Sequence, residues 1–171
     1  MSSMKEFRTE KEIFKIYRNA YKSLERVTPL RFDCGQLCNA KCCREGSEGM
    51  YLFPNESEFL KNKTDKKIIQ TDPYFELLIC NGECNRLYRP LACRIFPLFP
   101  YTDYEGNLEV KFDIRAKSIC PLQFTDIPEI LIHDKFIKRI KKVFKHLIKY
   151  RVFYEYCRKL TDELVFLEKF H

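Results

Sequence analysis

Glycine and proline are sparse in this 171-residue chain, with five and eight occurrences, which excludes a low-complexity or repeat architecture. The segment Met1 to Ala20 holds no apolar run of the ~7 residues that a secretory signal needs, and no small-residue cleavage site. No window reaches the ~18 consecutive apolar residues of a membrane-spanning helix. A Gly-rich phosphate loop, a nucleophile–base pair and a carboxylate pair are also missing from the sequence, and with them the usual signatures of nucleotide and hydrolytic enzymes. Histidine is confined to His133, His146 and His171 in the C-terminal part, where it reads as surface or core rather than as a ligand.

Against these absences stand nine cysteines. A chain of this length buries roughly 70% of its unfolded surface and needs no disulfides to fold. Its 45% apolar, 32% charged and 15% aromatic residues describe a globular protein. An odd cysteine count without a secretion signal points to the cytoplasm, where thiols stay reduced, so metal ligation is their expected use.

The pattern predicts a single domain over residues 1–171 of the α+β class: a cysteine-rich irregular core with short strands, flanked by N- and C-terminal helices. From Lys5 to Val27 (5–27), Phe7, Ile13, Phe14, Ile16, Tyr17, Tyr21 and Leu24 mostly recur at helical spacing, and Thr28-Pro29 closes the helix. The core, residues 32–124, breaks into short pieces. Met50 to Phe53 reads as a strand, Asn55 to Leu60 as a short helix, and Leu108 to Ile114 as a strand after the Glu105-Gly106-Asn107 turn. Tyr74 to Cys80 and Glu83 to Tyr88 flank Asn81-Gly82, a strong hairpin signal. Pro90 and Pro97 bracket a short helical turn that carries Cys93.

Residues 128–171 return to helix, with Pro128 near the start. Phe136, Ile140, Val143, Phe144, Leu147 and Tyr150 make one face; Lys135, Lys138, Arg139, Lys142, Lys145 and Lys149 make the opposite one. Beyond Arg151 the apolar stripe moves to Phe153, Cys157, Leu160 and Leu164, which predicts a bend or a second helix there.

Eight of the nine cysteines fall in the core: Cys34, Cys38, Cys42, Cys43, Cys80, Cys84, Cys93 and Cys120. The spacing of Cys34, Cys38 and Cys42 suits one face of a helix. Cys43 adjoins Cys42, and neighbouring side chains point in different directions, so the doublet suggests two adjacent sites or a cluster with one cysteine outside it. A tight turn at Asn81-Gly82 brings Cys80 and Cys84 together. Eight thiols fill two four-cysteine sites, and both zinc and iron–sulfur clusters take four. The absence of Cys-x2-Cys disfavours ordinary zinc ribbons, and that of Cys-x2-Cys-His excludes covalent haem. Eight thiolates on two divalent ions would bring the formal charge of +7 down to roughly +3. Arg31, Lys41, Arg44, Arg86, Arg89, Arg94, Arg115 and Lys117 lie close in sequence to these cysteines, and such cations stabilise thiolates. Cys157 stands alone on a helix and reads as a small buried hydrophobe.

In these motifs the chain resembles the YkgJ-type cysteine cluster proteins, a family described as zinc- or iron-chelating. The matching stretches are Cys34-x3-Cys38-x3-Cys42-Cys43, Gly49 to Pro54, Cys80-x3-Cys84, Tyr88 to Pro97, and Asp113 to Ala116 followed by Cys120-Pro121. Together they span Phe32 to Leu122; the terminal helices fall outside the match. The family's more usual first motif is Cys-x2-Cys-x2-Cys-Cys, so the longer spacing here is a departure. The resemblance implies a metal site carried by the eight core cysteines. Flagellin lysine-N-methylases are similar in their cysteine motifs, which implies a methyl-transfer alternative; this chain is short for that and shows no methyl-donor motif.

Three functions follow. The first is a metal-binding cysteine cluster protein holding an iron–sulfur cluster (4Fe–4S) or zinc through the eight cysteines. The second is a metal-dependent enzyme of methyl-transfer or redox type, with Arg89, Arg94, Asp113 and Arg115 around a pocket. The third is a zinc-stabilised nucleic-acid-binding module, with polyanion contact through the basic helix Lys135–Arg151, which carries eight Lys or Arg residues and no acid. No membrane contact is expected.

Overall fold

The computed structural model describes residues 4–43, 49–82, 85–124, 127 and 131–170. Helix α1 (Glu10–Leu24) begins where Thr9 Oγ1 accepts the Glu12 amide at 3.3 Å, with Glu10 and Glu12 in its first turn. It is shorter at both ends than the sequence predicts. Lys5 is drawn into a parallel bridge with Tyr150: its amide donates to Lys149 O at 2.9 Å, and the Arg151 amide donates back to Lys5 O at 3.0 Å. Phe7 then stacks on Tyr150 at 4.4 Å instead of joining the helical stripe.

Strands β1 (Met50–Leu52), β2 (Ile68–Gln70) and β3 (Glu76–Leu78) form an antiparallel sheet in the order β1-β3-β2, with both Met50 and Ile68 opposite Leu78. Strands β4 (Leu98–Thr102) and β5 (Leu108–Phe112) form a hairpin. Its turn is held by the Asp103 carboxylate, which accepts the Asn107 amide and side-chain N–H at 2.7 Å each. The class is therefore α+β with short strands, as expected. Strands 50–52 and 108–112 match the reading; β5 stops at Phe112 because the Asp113 carboxylate caps the turn at 114–116 through the Arg115 amide at 2.9 Å. Neither β2 nor β4 was anticipated. β4 carries Pro100, which lacks an N–H and is tolerated because this strand pairs on one side with β5.

Among the described residues the hairpin expected around Asn81-Gly82 is absent. Both sides of β3 are already taken by β1 and β2, and Arg86–Tyr88 coils into a 3-10 turn capped by Asn85, whose Oδ1 accepts the Leu87 amide at 3.0 Å. Glu83 and Cys84 lie outside the described residues. Helices α3 (Glu56–Leu60) and α4 (Leu91–Ile95) fall where sequence puts them. At the C-terminal end α5 (Asp134–Leu147) and α6 (Arg151–Glu168) are separated by the expected break; Pro128 lies outside the described residues. Among the described residues no helix is long and apolar enough to cross a membrane.

Aromatic side chains knit these elements into a core. Phe53, just after β1, meets Phe144 of α5 at 5.1 Å and Tyr156 of α6 at 5.0 Å, and Tyr17 of α1 stacks on Phe59 of α3 at 5.3 Å. Inside this apolar surround sits a fully buried acid, Glu56. Its Oε1 accepts the Tyr21 hydroxyl at 2.6 Å and the Leu91 amide at 2.7 Å, and Oε2 accepts the Phe53 amide at 2.9 Å. One carboxyl group thereby joins α1, the end of β1 and the start of α4.

Glu56→Ala strands three buried donors and is expected to cost about 3–5 kcal/mol of stability in chemical denaturation. Burial raises the Glu56 pKa above its ordinary value of 4.5 despite the three hydrogen bonds. The raised folded value means its contribution is fully present below about 4.5 and declines as pH rises through that folded value. The cost of Glu56→Ala should therefore shrink toward alkaline pH; a cost that grows with pH contradicts this.

Candidate metal centre

Seven of the eight core cysteines line one cavity of about 340 Å³: Cys34, Cys38, Cys42, Cys43, Cys80, Cys93 and Cys120. Cys84 lies outside the described residues. The cysteines arrive on four separate stretches of chain, each shaped locally.

The first stretch starts with Asp33, whose Oδ1 accepts the Gly35 amide at 3.0 Å and opens the short helix α2 (Gly35–Cys38). Asn39 (φ 52°) and Ala40 (φ 49°) then turn left-handed, the Ala40 amide donating to Gly35 O at 2.8 Å. A 3-10 turn at Lys41–Cys43 follows. Cys34, Cys38 and Cys42 consequently do not share a helical face; the left-handed pair ends the helix before Cys42. The reversal still brings all of them to the cavity. The neighbouring thiols of Cys42 and Cys43 also do not diverge as expected: the 3-10 turn leaves their Sγ atoms 3.8 Å apart.

Cys80 lies two residues beyond the end of β3, and Gly82 after it takes φ 86°, a left-handed turn that favours glycine. Cys93 sits on α4, whose first amide is held by Glu56. Cys120 ends the fourth stretch, its amide donating to Ala116 O at 2.8 Å. Lys41 Nζ donates to Ser118 O at 3.0 Å and ties the first stretch to this one.

The thiols feel one another. Burial, then Cys120, Asp33 and Cys38, pushes Cys34 up to about 11, and burial likewise raises Cys120. The hydrogen bond between Cys42 and Cys43 raises the first and lowers the second to about 6, with the Arg89 guanidinium favouring charge on Cys43. Among the described residues no three His, Cys, Asp or Glu side chains are grouped closely enough to hold a single metal ion. The thiols stand around the wall of the cavity.

The four residues read as a catalytic pocket do not assemble. Arg89 and Arg94 line the cysteine cavity, but Asp113 and Arg115 border a different, smaller hollow beside Tyr156 and Leu160. There they close on each other in a two-pronged ion pair, Nε to Oδ1 at 2.9 Å and Nη2 to Oδ2 at 2.5 Å. Arg94 donates to the carbonyls of Arg89 at 2.7 Å and of Arg86 and Leu87 at 2.9 Å, and stacks over Tyr21 at 4.2 Å. It is a positioning residue that shapes the chain between Cys84 and Cys93. Cys157 is fully buried on α6 and lies outside the cavity lining.

Sequence reasoning passed over Glu56, Asp33 and Lys66, the last also a lining residue. Asp33 had a local signal, an acid two residues before a glycine at a helix start. No protein-family model matches the chain, and no curated protein or solved structure matches it either.

Ala40 holds a backbone conformation that suits glycine. Ala40→Gly should stabilise the protein by about 0.5–1 kcal/mol in urea denaturation, strain relief outweighing the added chain entropy. A destabilised variant would show that this loop carries no strain.

Proposed function

We propose that the chain is a metal-binding cysteine cluster protein of the YkgJ type, holding an iron–sulfur cluster or zinc through Cys34, Cys38, Cys42, Cys43, Cys80, Cys84, Cys93 and Cys120. The observation that carries this reading is the convergence of seven thiols from four stretches of chain on one cavity. Packing alone does not explain it, because these side chains are half-buried and lie outside the apolar core. The donor set fits a soft metal: thiols in excess, with no histidine among the described lining residues. The 3.8 Å between the Cys42 and Cys43 sulfurs is close to the ~3.8 Å edge of a thiolate tetrahedron around zinc. More than four thiols around one cavity equally supports a cluster. Bound zinc would cross-link the four stretches; a bound iron–sulfur cluster would add one-electron chemistry. In either case Arg94 and Glu56 fix the segments that carry the cysteines.

A polyanion contact through Lys135–Arg151 accompanies this reading. It is supported by the exposure of Lys135, Lys138, Lys141, Lys142, Lys145 and Lys149.

Protein purified without oxygen should contain zinc, or iron with acid-labile sulfide. Cys93→Ser and Cys120→Ser should each lower the metal content at least severalfold, whereas Cys157→Ala should leave it unchanged. Folded metal-free protein with eight titratable core thiols would sink the proposal.

A further inference from the structure

Helix α5 takes no part in the cysteine centre. Its apolar half is fully used: Phe136, Ile140, Val143, Phe144 and Leu147 are all buried in the core. The other half carries Lys135, Lys138, Lys141, Lys142 and Lys145, all exposed, and the half-buried Arg139, with exposed Lys149 just beyond the helix end. Among the described residues the acid paired with these lysines is Asp134, 3.8 Å from Lys138 Nζ, and both side chains are about four-fifths exposed. Such a pair competes weakly with another anion. Lys5 joins the patch at its far end, where its amide donates to Lys149 O at 2.9 Å. Burial, then Lys149 and Lys5, holds the His146 imidazole below its ordinary value, in keeping with a surplus of positive charge there.

We infer that this face binds the phosphodiester backbone of a nucleic-acid duplex without reading its bases; the inference deepens the polyanion reading above and rests on it. Residues 135–149 extend over about 20 Å at ~1.5 Å per residue. A duplex strand offers one phosphate per ~3.4 Å, so about six phosphates face six ammonium groups over that length. The exposed cations of α5 are lysines, point charges that neutralise phosphates, whereas base edges are read by forked groups such as arginine, and Arg139 is half-buried. The phenyl rings of α5, Phe136 and Phe144, lie on its buried side, and the His146 ring stands edge-on to Tyr150 at 6.1 Å, so α5 presents no row of aromatic faces for the stacking that single strands use. The same burial argues against a bilayer, because a helix lying in a membrane inserts an apolar face.

The test is fluorescence anisotropy of the full, metal-loaded chain with labelled DNA and RNA duplexes of about 20 bp, with heparin and phosphatidylserine vesicles as further probes. Duplex binding should fall with salt at a log–log slope of about −5 and be unchanged when the sequence is scrambled. Lys138→Gln, Lys142→Gln and Lys145→Gln should each reduce the slope by about 0.9, with helicity and metal content intact. A preference for the DNA or the RNA duplex identifies the source of the backbone, and either supports the inference. No duplex binding at about 50 mM salt, or a slope unmoved in the triple variant, overturns it. Heparin binding without duplex binding overturns the duplex assignment and leaves the polyanion reading standing. Vesicle binding without duplex binding overturns it in favour of a lipid surface. Binding to none of the probes overturns both readings, and the metal analysis of the same samples keeps the cysteine proposal separate.

Discussion

The buried carboxyl of Glu56 is the interaction on which the cysteine-bearing half of the molecule depends. It takes hydrogen bonds from Tyr21 on α1, Phe53 at the end of β1 and Leu91 at the start of α4. Each partner leads toward the cavity. Leu91 opens the helix that carries Cys93, Tyr21 supports the Arg94 guanidinium, and the strand ending before Phe53 pairs with β3, which leads into Cys80. A buried acid surrounded by donors costs desolvation, and it adds a fixed hydrogen-bonded geometry to elements that already pack in one apolar core. Short strands and four- or five-residue helices cannot position thiols by packing alone.

Arg94 extends the same logic by one step. With its donors on the carbonyls of Arg86, Leu87 and Arg89, it holds a stretch that forms no strand and only one 3-10 turn. Lys41, reaching Ser118 O across 77 positions of sequence, does the same for the first cysteine stretch and the one ending in Cys120. The charges near the cysteines thus divide into those that hold backbone and those, such as Arg89, that face a thiol. A count of neighbouring cations in the sequence cannot make that division.

Legibility followed the range of the determining interactions. The terminal helices, β1, α3, α4 and β5 were readable because periodicity, turns and prolines are local signals. The false hairpin at Asn81-Gly82 came from the same kind of signal, overruled by the pairing of β3 with β1 and β2. The single helical face for Cys34, Cys38 and Cys42 failed at Ala40, a residue whose left-handed backbone nothing local announces. The cysteines themselves were legible as a set from type and density, yet their convergence rests on Glu56, Arg94 and Lys41, whose partners lie far away or on the backbone. Asp113 and Arg115 looked available in sequence and are occupied by each other.

Whether these thiols act together on metal is tested most directly by X-ray absorption at the metal edge of protein purified without oxygen. A first shell of sulfur alone at ~2.3 Å is the predicted result. Oxygen or nitrogen ligands in that shell, or no bound metal to measure, would contradict the account.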